Sequence, residues 1–188
     1  MPEIPTIADL LGMMGAQRDY PYVFSGAKSA AVFFCAACYG KWDAIYYYDY
    51  KIPDVTLVDT DAEKLKAMAS IYPEGWKYIT ADAFDYAGRC LWEGRKFDVV
   101  SCDPFTNLVP RVLINDFDKF YSIANKYLVA RVTYGNFFEK YNVEPTEEAL
   151  AEFLTKEHKK TIKVRELNEV STFDGGCYWA VIECGKNS

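Results

Sequence analysis

Several things are scarce in this chain of 188 residues, and each scarcity removes a class of protein. No apolar run approaches the roughly 18 residues that a membrane span needs, because Asp, Lys or Arg interrupts every one. Basic residues do not dominate: 21 Lys and Arg stand against 27 Asp and Glu, a formal net charge of −6. A protein that coats duplex nucleic acid without sequence preference needs the opposite balance. The opening residues, Met1-Pro-Glu-Ile-Pro-Thr, lack the basic-then-apolar order of a secretory leader, so a cytoplasmic location is expected. There is no internal repeat, low-complexity tract or linker. Histidine occurs once, at His158. The C-x-x-C at Cys35-Ala-Ala-Cys38 therefore has no evident further ligands for zinc, and it falls in an apolar strand and its loop. It reads as small packing residues, and no metal site is expected. The six cysteines mostly lie inside apolar runs, as buried, reduced thiols do.

Core material, by contrast, is plentiful. The composition is 51% hydrophobic and 16% aromatic, ample for one core at a length typical of one domain. The expected organisation is a single domain over 1–188, with a helical extension over 1–29 and a core over 30–184. Short apolar runs alternate with helix-like stretches. Strands are predicted at Ala30–Ala37, Asp54–Asp59, Trp76–Ala81, Phe97–Cys102 and Tyr127–Tyr134. The segment up to Tyr50 is expected to be helical. Asp61–Tyr72 places Leu65, Met68, Ala69 and Tyr72 on one helical face, with a capping box at Thr60 and Glu63, and Pro73 and Gly75 as the stop. Further helices are predicted at Tyr86–Glu93, Asn115–Lys126 and Thr146–His158. The last two strands, Thr161–Phe173 and Cys177–Cys184, are separated only by Asp174-Gly175-Gly176, a connection too short for anything but an antiparallel hairpin. The fold class is thus α/β: a doubly wound, mostly parallel seven-stranded sheet, covered on both faces and closed by a C-terminal antiparallel hairpin.

In an open parallel sheet, ligands bind beyond the carboxyl ends of the strands. Three consecutive strands end in aspartate here: Asp59, Asp82 and Asp103. Any one of them could simply cap a helix or a turn. Three carboxylates along one rim are costly unless they meet solvent or ligand donors, which favours a functional reading.

With these residues the chain resembles the class I S-adenosylmethionine-dependent methyltransferases over about Ala30 to Cys184. The element order, terminal hairpin included, is similar. The resemblance implies that Asp59, in Val55-Thr-Leu-Val-Asp-Thr-Asp, accepts hydrogen bonds from the cofactor's ribose, and that Thr60 lies against the adenine. It implies that Asp82, in Ile79-Thr-Ala-Asp-Ala-Phe, binds the adenine amino group, with the Ala83 N–H on the ring. Asp103-Pro104-Phe105, after Phe97-Asp-Val-Val-Ser-Cys, is similar to the Asp/Asn-Pro-Pro-aromatic signature of amino-methyltransferases, one proline short. The first loop departs further. Phe34 stands where the family has an acid, Ala36 and Cys38 replace two glycines, and Gly40 keeps the last. Ala36, Cys38 and Gly40 would approach the cofactor, although alanine and cysteine lack glycine's freedom at positive φ.

The implied chemistry is methyl transfer to nitrogen, most simply a nucleobase amine in RNA or DNA. Asp103 and the Pro104 carbonyl would accept the two N–H bonds of the amine, while Phe105 stacks on the planar acceptor. Lys156–Arg165 is the concentrated basic stretch; it reads either as a solvated helix end or as a phosphate contact. The aromatics Tyr46-Tyr-Tyr-Asp-Tyr50, with Trp42, read as packing surface. Three alternatives stay open: a small-molecule methyltransferase, a catalytically inactive binding or partner subunit, and a nicotinamide-dependent oxidoreductase. The last lacks its G-x-G-x-x-G here.

Overall fold

A computed structural model describes residues 4–12, 21–36, 43–171 and 176–185. Two short helices, α1 (Ile7–Gly12) and α2 (Pro21–Phe24), precede β1 (Ser29–Phe33). The order then runs α3 (Ala44–Asp49), β2 (Asp54–Asp59), α4 (Ala62–Ala69), β3 (Lys77–Thr80), α5 (Ala83–Trp92) and β4 (Phe97–Cys102). After it come α6 (Phe117–Ile123), β5 (Ala124–Thr133), α7 (Glu147–His158), β6 (Lys163–Ser171) and β7 (Cys177–Glu183). The described residues form a seven-stranded sheet in the order β3-β2-β1-β4-β5-β7-β6. The pairs from β3 to β5 are parallel, and β7 runs antiparallel between β5 and β6. Strand order reverses between β1 and β4, so ligand space is expected above that end of the sheet.

Alternation along each strand divides the core into two layers. Ala31, Phe33, Val100, Cys102, Ala130 and Val132 face α5, α6 and α7, where Phe84, Phe117 and Phe120 are buried. Ala30, Val32, Val55, Leu57 and Val99 face the other way, against Phe24, Tyr46, Tyr47, Leu65 and Met68 of α2, α3 and α4. Each large apolar side chain removed from water contributes about 1.5–3 kcal/mol, so the two layers rather than individual surface contacts hold the sheet in place.

Several boundaries differ from the sequence reading, each for a local reason. The first strand stops at Phe33, because Phe34 turns the chain through a left-handed conformation with φ 63°. The cap of α4 is Asp61, not Thr60: its carboxylate accepts the Lys64 N–H at 3.0 Å. Helix α5 starts at Ala83, three residues earlier than expected, because Asp82 accepts the N–H groups of Phe84 (2.9 Å) and Asp85 (3.0 Å). Helix α6 ends at Ile123, and residues to Lys126 already belong to β5. Tight π-helical turns at Arg111–Asn115 and Tyr134–Glu139 escaped the periodicity argument. The hairpin tip at 172–175, with Asp174 and Gly175, and Trp42 lie outside the described residues. Among those described, no helix is long and apolar enough to cross a membrane.

Candidate active site

Asp59 ends β2 half-buried, with both carboxylate oxygens engaged. Oδ2 accepts the Ala36 N–H and Oδ1 the Asp61 N–H, each at 3.0 Å. The carboxylate thereby ties the chain leaving β1 to the chain leaving β2. Each oxygen keeps acceptor capacity for one more donor. Asp82 spends a single oxygen, Oδ1, on capping α5. Ala83 is buried in the first position of that helix, where an N–H has no acceptor within the helix.

Asp59, Thr60, Asp82 and Ala83 line one crevice of about 160 Å³. Its other walls are apolar or aromatic apart from Arg111. Phe34 and Phe84 meet edge to face at 5.6 Å between ring centroids. Arg111 lies with its guanidinium carbon 3.6 Å from the centre of the Phe84 ring and its Nε 2.8 Å from Asp116. Phe105, 70% exposed, stands at the edge of the same crevice. Of the three carboxylates expected to share a crevice, Asp59 and Asp82 do so, framed by Phe34, Phe84 and Arg111.

Asp103 is placed differently. Its N–H donates to the Phe33 carbonyl (3.2 Å), continuing the β1–β4 ladder, but the described walls of the crevice do not include it. Its side chain is 5% exposed and forms an ion pair with Arg131, Nη1 to Oδ1 at 3.0 Å. Burial alone would lower the pKa of the guanidinium; Asp103 and Cys177 beside it outweigh that and hold it above its ordinary value. Pro104 is buried and Phe105 exposed, so the tripeptide runs from the sheet interior to the surface in three residues. A charged residue inside the apolar run Leu128-Val-Ala-Arg-Val was the available signal for Arg131, since a buried charge is normally paired.

Of the first-loop residues, Ala36 is buried, and its N–H reaches Asp59; Cys38 and Gly40 lie outside the described residues. Burial pushes the Cys35 and Cys102 thiols well above their ordinary pKa and the Cys184 thiol up to about 12, which leaves them protonated and poorly nucleophilic. Among the described residues no group of three or more His, Cys, Asp or Glu could hold a metal ion.

The basic stretch lies at the other end of the sheet. Lys163 pairs with Glu183 and Glu183 with Tyr127, near the start of β5, whereas the crevice end of that strand is Thr133. At about 3.3 Å per residue the two are about 20 Å apart. Lys160 is paired with Asp118 and Arg165 with Glu183. His158 sets Nε2 2.9 Å from the Leu113 carbonyl oxygen and stacks on Phe117.

No family model matches the chain, and no curated protein matches its sequence. Solved structures do match its shape. It is similar to the N-methyltransferase NodS from Bradyrhizobium japonicum, with a TM-score of 0.58 and 11% identity over 96% of this chain and 94% of that one. It is equally similar to an O-methyltransferase from Bacillus cereus solved with S-adenosylhomocysteine, with a TM-score of 0.58 and 11% identity over 97% and 92%. A SAM-dependent methyltransferase from Agrobacterium tumefaciens gives 0.58 and 14% identity over 87% of this chain, which spans 59% of its length. The chain has the fold of the class I S-adenosylmethionine-dependent methyltransferases.

Proposed function

We propose that the crevice binds S-adenosylmethionine and that the protein transfers its methyl group to the nitrogen of a planar amine, a nucleobase amine of RNA or DNA in the first reading. The observation that carries this is the pairing of Asp59 and Asp82 in one aromatic-walled crevice at the ligand-binding end of a methyltransferase-like sheet. An adenosyl group brings hydroxyl and amino donors together with a flat apolar ring. The crevice offers spare carboxylate lone pairs, the first N–H of α5 and the faces of Phe34 and Phe84, so the residues present fit the group. Asp59 would take the ribose hydroxyls with Thr60 against the ring, and Asp82 with the Ala83 N–H the adenine edge. Ala36, whose N–H donates to Asp59, would approach the cofactor, together with Cys38 and Gly40 of the same loop. When bound, S-adenosylmethionine supplies a methyl on a sulfonium: an N–C bond forms as the S–C bond breaks, the electron pair stays on sulfur, and the acceptor loses a proton to water.

The chain's own task is to align and dry the acceptor. Asp103 Oδ2 and the Pro104 carbonyl would accept the amine's N–H bonds, which localises a lone pair otherwise spread into the ring. Phe105 would stack on the acceptor plane at about 1–3 kcal/mol per base. A small heteroaryl amine is the second reading. It is favoured by the carboxylates Asp59 and Asp82 in the crevice wall and by the basic stretch, Lys156–Arg165, running to the opposite end of the sheet.

A melting curve with S-adenosylhomocysteine tests the binding half. At 100-fold over Kd the gain is about 2.7 kcal/mol, about 5–10 °C for a domain of this size. No shift would leave an inactive, methyltransferase-shaped partner subunit as the reading. Asp103→Ala tests the transfer half, with Asp103→Asn as its control, since the Asp/Asn-Pro-Pro-aromatic signature accepts either residue and Asn keeps an acceptor oxygen beside the half-buried Arg131. In Asp103→Ala, S-adenosylhomocysteine binding should persist, while methyl transfer in a survey of RNA, DNA and metabolite pools falls 100-fold or more. Unchanged turnover removes Asp103 from the mechanism.

A further inference from the structure

Asp103 follows Cys102, whose ladder partner on β5 is Ala130; one step further along the two parallel strands, Asp103 and Arg131 stand opposite each other on the same face of the sheet. That is where the 3.0 Å ion pair forms, between side chains 5% and 29% exposed. A buried carboxylate costs several kcal/mol unless it is paired and hydrogen-bonded, and Arg131 supplies that partner for Asp103. The pair also cancels charge. A lone carboxylate at this position would draw a cation, whereas the pair presents a hydrogen-bond acceptor, the remaining oxygen of Asp103, with no net charge behind it.

Whether the acceptor arrives charged matters because an ammonium nitrogen has no lone pair to offer. Taking its proton requires a base, and the described candidates are committed elsewhere. Asp103 is paired with Arg131, and Asp59 and Asp82 stand in the adenosyl crevice, whose described walls do not include Asp103. His158 is held on the Leu113 carbonyl and stacked on Phe117, and the Cys102 thiol is held protonated by burial. We propose that Arg131 is a positioning residue that compensates the charge of Asp103, and that the site therefore takes a heteroaryl amine, uncharged at neutral pH, and rejects an alkylammonium ion. The inference rests on the methyl-transfer reading for its chemistry, but its test needs no turnover.

Among the described residues, the charged and titratable groups around Asp103 are Arg131 on β5, Cys177 on β7 beside Arg131, the adjacent Cys102, and Asp43 at the start of α3, which acts with Asp103 on Cys102. With the aspartates ¹³C-labelled and the Asp103 carboxyl assigned through Asp103→Asn, its titration is followed by NMR in the wild type, Arg131→Met and Arg131→Lys. The midpoint should rise by about one pH unit or more in Arg131→Met and return in Arg131→Lys. With S-adenosylhomocysteine in excess to occupy the crevice, the wild type should bind cytosine at least tenfold more tightly than n-butylammonium. Arg131→Met, above its raised midpoint, should reverse that order. An unchanged titration in Arg131→Met overturns the proposal, and so does wild-type binding of butylammonium as tight as that of cytosine, or of neither probe. Should Arg131→Met fail to fold at neutral pH, recovery on acidification and on adding Asp103→Asn reports the same uncompensated carboxylate; recovery by neither overturns it. A raised Asp103 midpoint in a protein that does not bind S-adenosylhomocysteine defeats the cofactor reading while leaving the role of the pair intact.

Discussion

Asp82 holds two tasks on one side chain, and its oxygens separate them. Oδ1 caps α5, while Oδ2 is left for the crevice. Asn caps a helix as well as Asp, whereas losing the cap to Ala costs about 1 kcal/mol. Asp82→Asn should therefore melt like the wild type while its affinity for S-adenosylhomocysteine, read by calorimetry, falls about tenfold, the loss of one charge-assisted hydrogen bond. Asp82→Ala should lose both. Equal affinity of Asp82→Asn and the wild type would confine this residue to capping. Residue-level reading of the sequence succeeded where a side chain's task is local. It failed where two adjacent residues competed for one task, as Thr60 and Asp61 did for the start of α4. It missed Arg131, because a strand position shows a charge but not the carboxylate across the sheet that holds it.

Elements were legible in proportion to how uniform their environment is. β2 and β4 have the boundaries expected of them, Asp54–Asp59 and Phe97–Cys102, because β-branched and apolar residues fill a strand buried on both faces. The end of β1 was not legible, since the left-handed turn falls on Phe34 rather than on glycine, and φ 63° at a phenylalanine is imposed by tertiary packing. The turn at Arg111–Asn115 was hidden for a similar reason: Asp116 holds it to α6, receiving Arg111 Nε at 2.8 Å and Lys119 Nζ at 2.6 Å. Burial alone would raise the pKa of Asp116, but the hydrogen bonds from Lys119 and Arg111 outweigh it and the net shift is downward. A carboxylate whose native pKa is depressed contributes its stability above the unfolded value, near pH 4, and loses it as pH falls through the native value. Asp116→Asn should thus cost about 1 kcal/mol at pH 7, with its melting curve meeting that of the wild type in acid. A gap that persists at pH 2 would assign the loss to packing instead.

Across the whole molecule, the crevice holds Asp59 and Asp82 with Arg111, and the basic stretch runs to the start of β5, about 20 Å along that strand from its crevice end. A polynucleotide held there would engage mainly Lys156, Lys159 and Lys163, since Lys160 and Arg165 already have acidic partners. Changing Lys156 and Lys159 to Gln should reduce the slope of log affinity against log salt for single-stranded RNA by about 1–2 and leave S-adenosylhomocysteine binding unchanged. RNA binding that is the same at two ionic strengths in the wild type would favour the small-molecule reading. Overall architecture was the most readable level, because near-continuous apolar strands alternating with helices leave few ways to stack layers. The crevice walls were less so, since Phe84 and Arg111 come from elements with no motif of their own.

The hydrogen bond from the Ala36 amide to Asp59 has a mechanical side. The carboxylate that would greet an incoming sugar also moors the chain emerging from the central strand, so occupancy and mooring draw on the same oxygens. Loading the crevice should register in the exchange rate of the Ala36 amide proton, which makes that single amide a built-in gauge of whether the adenosyl berth is filled.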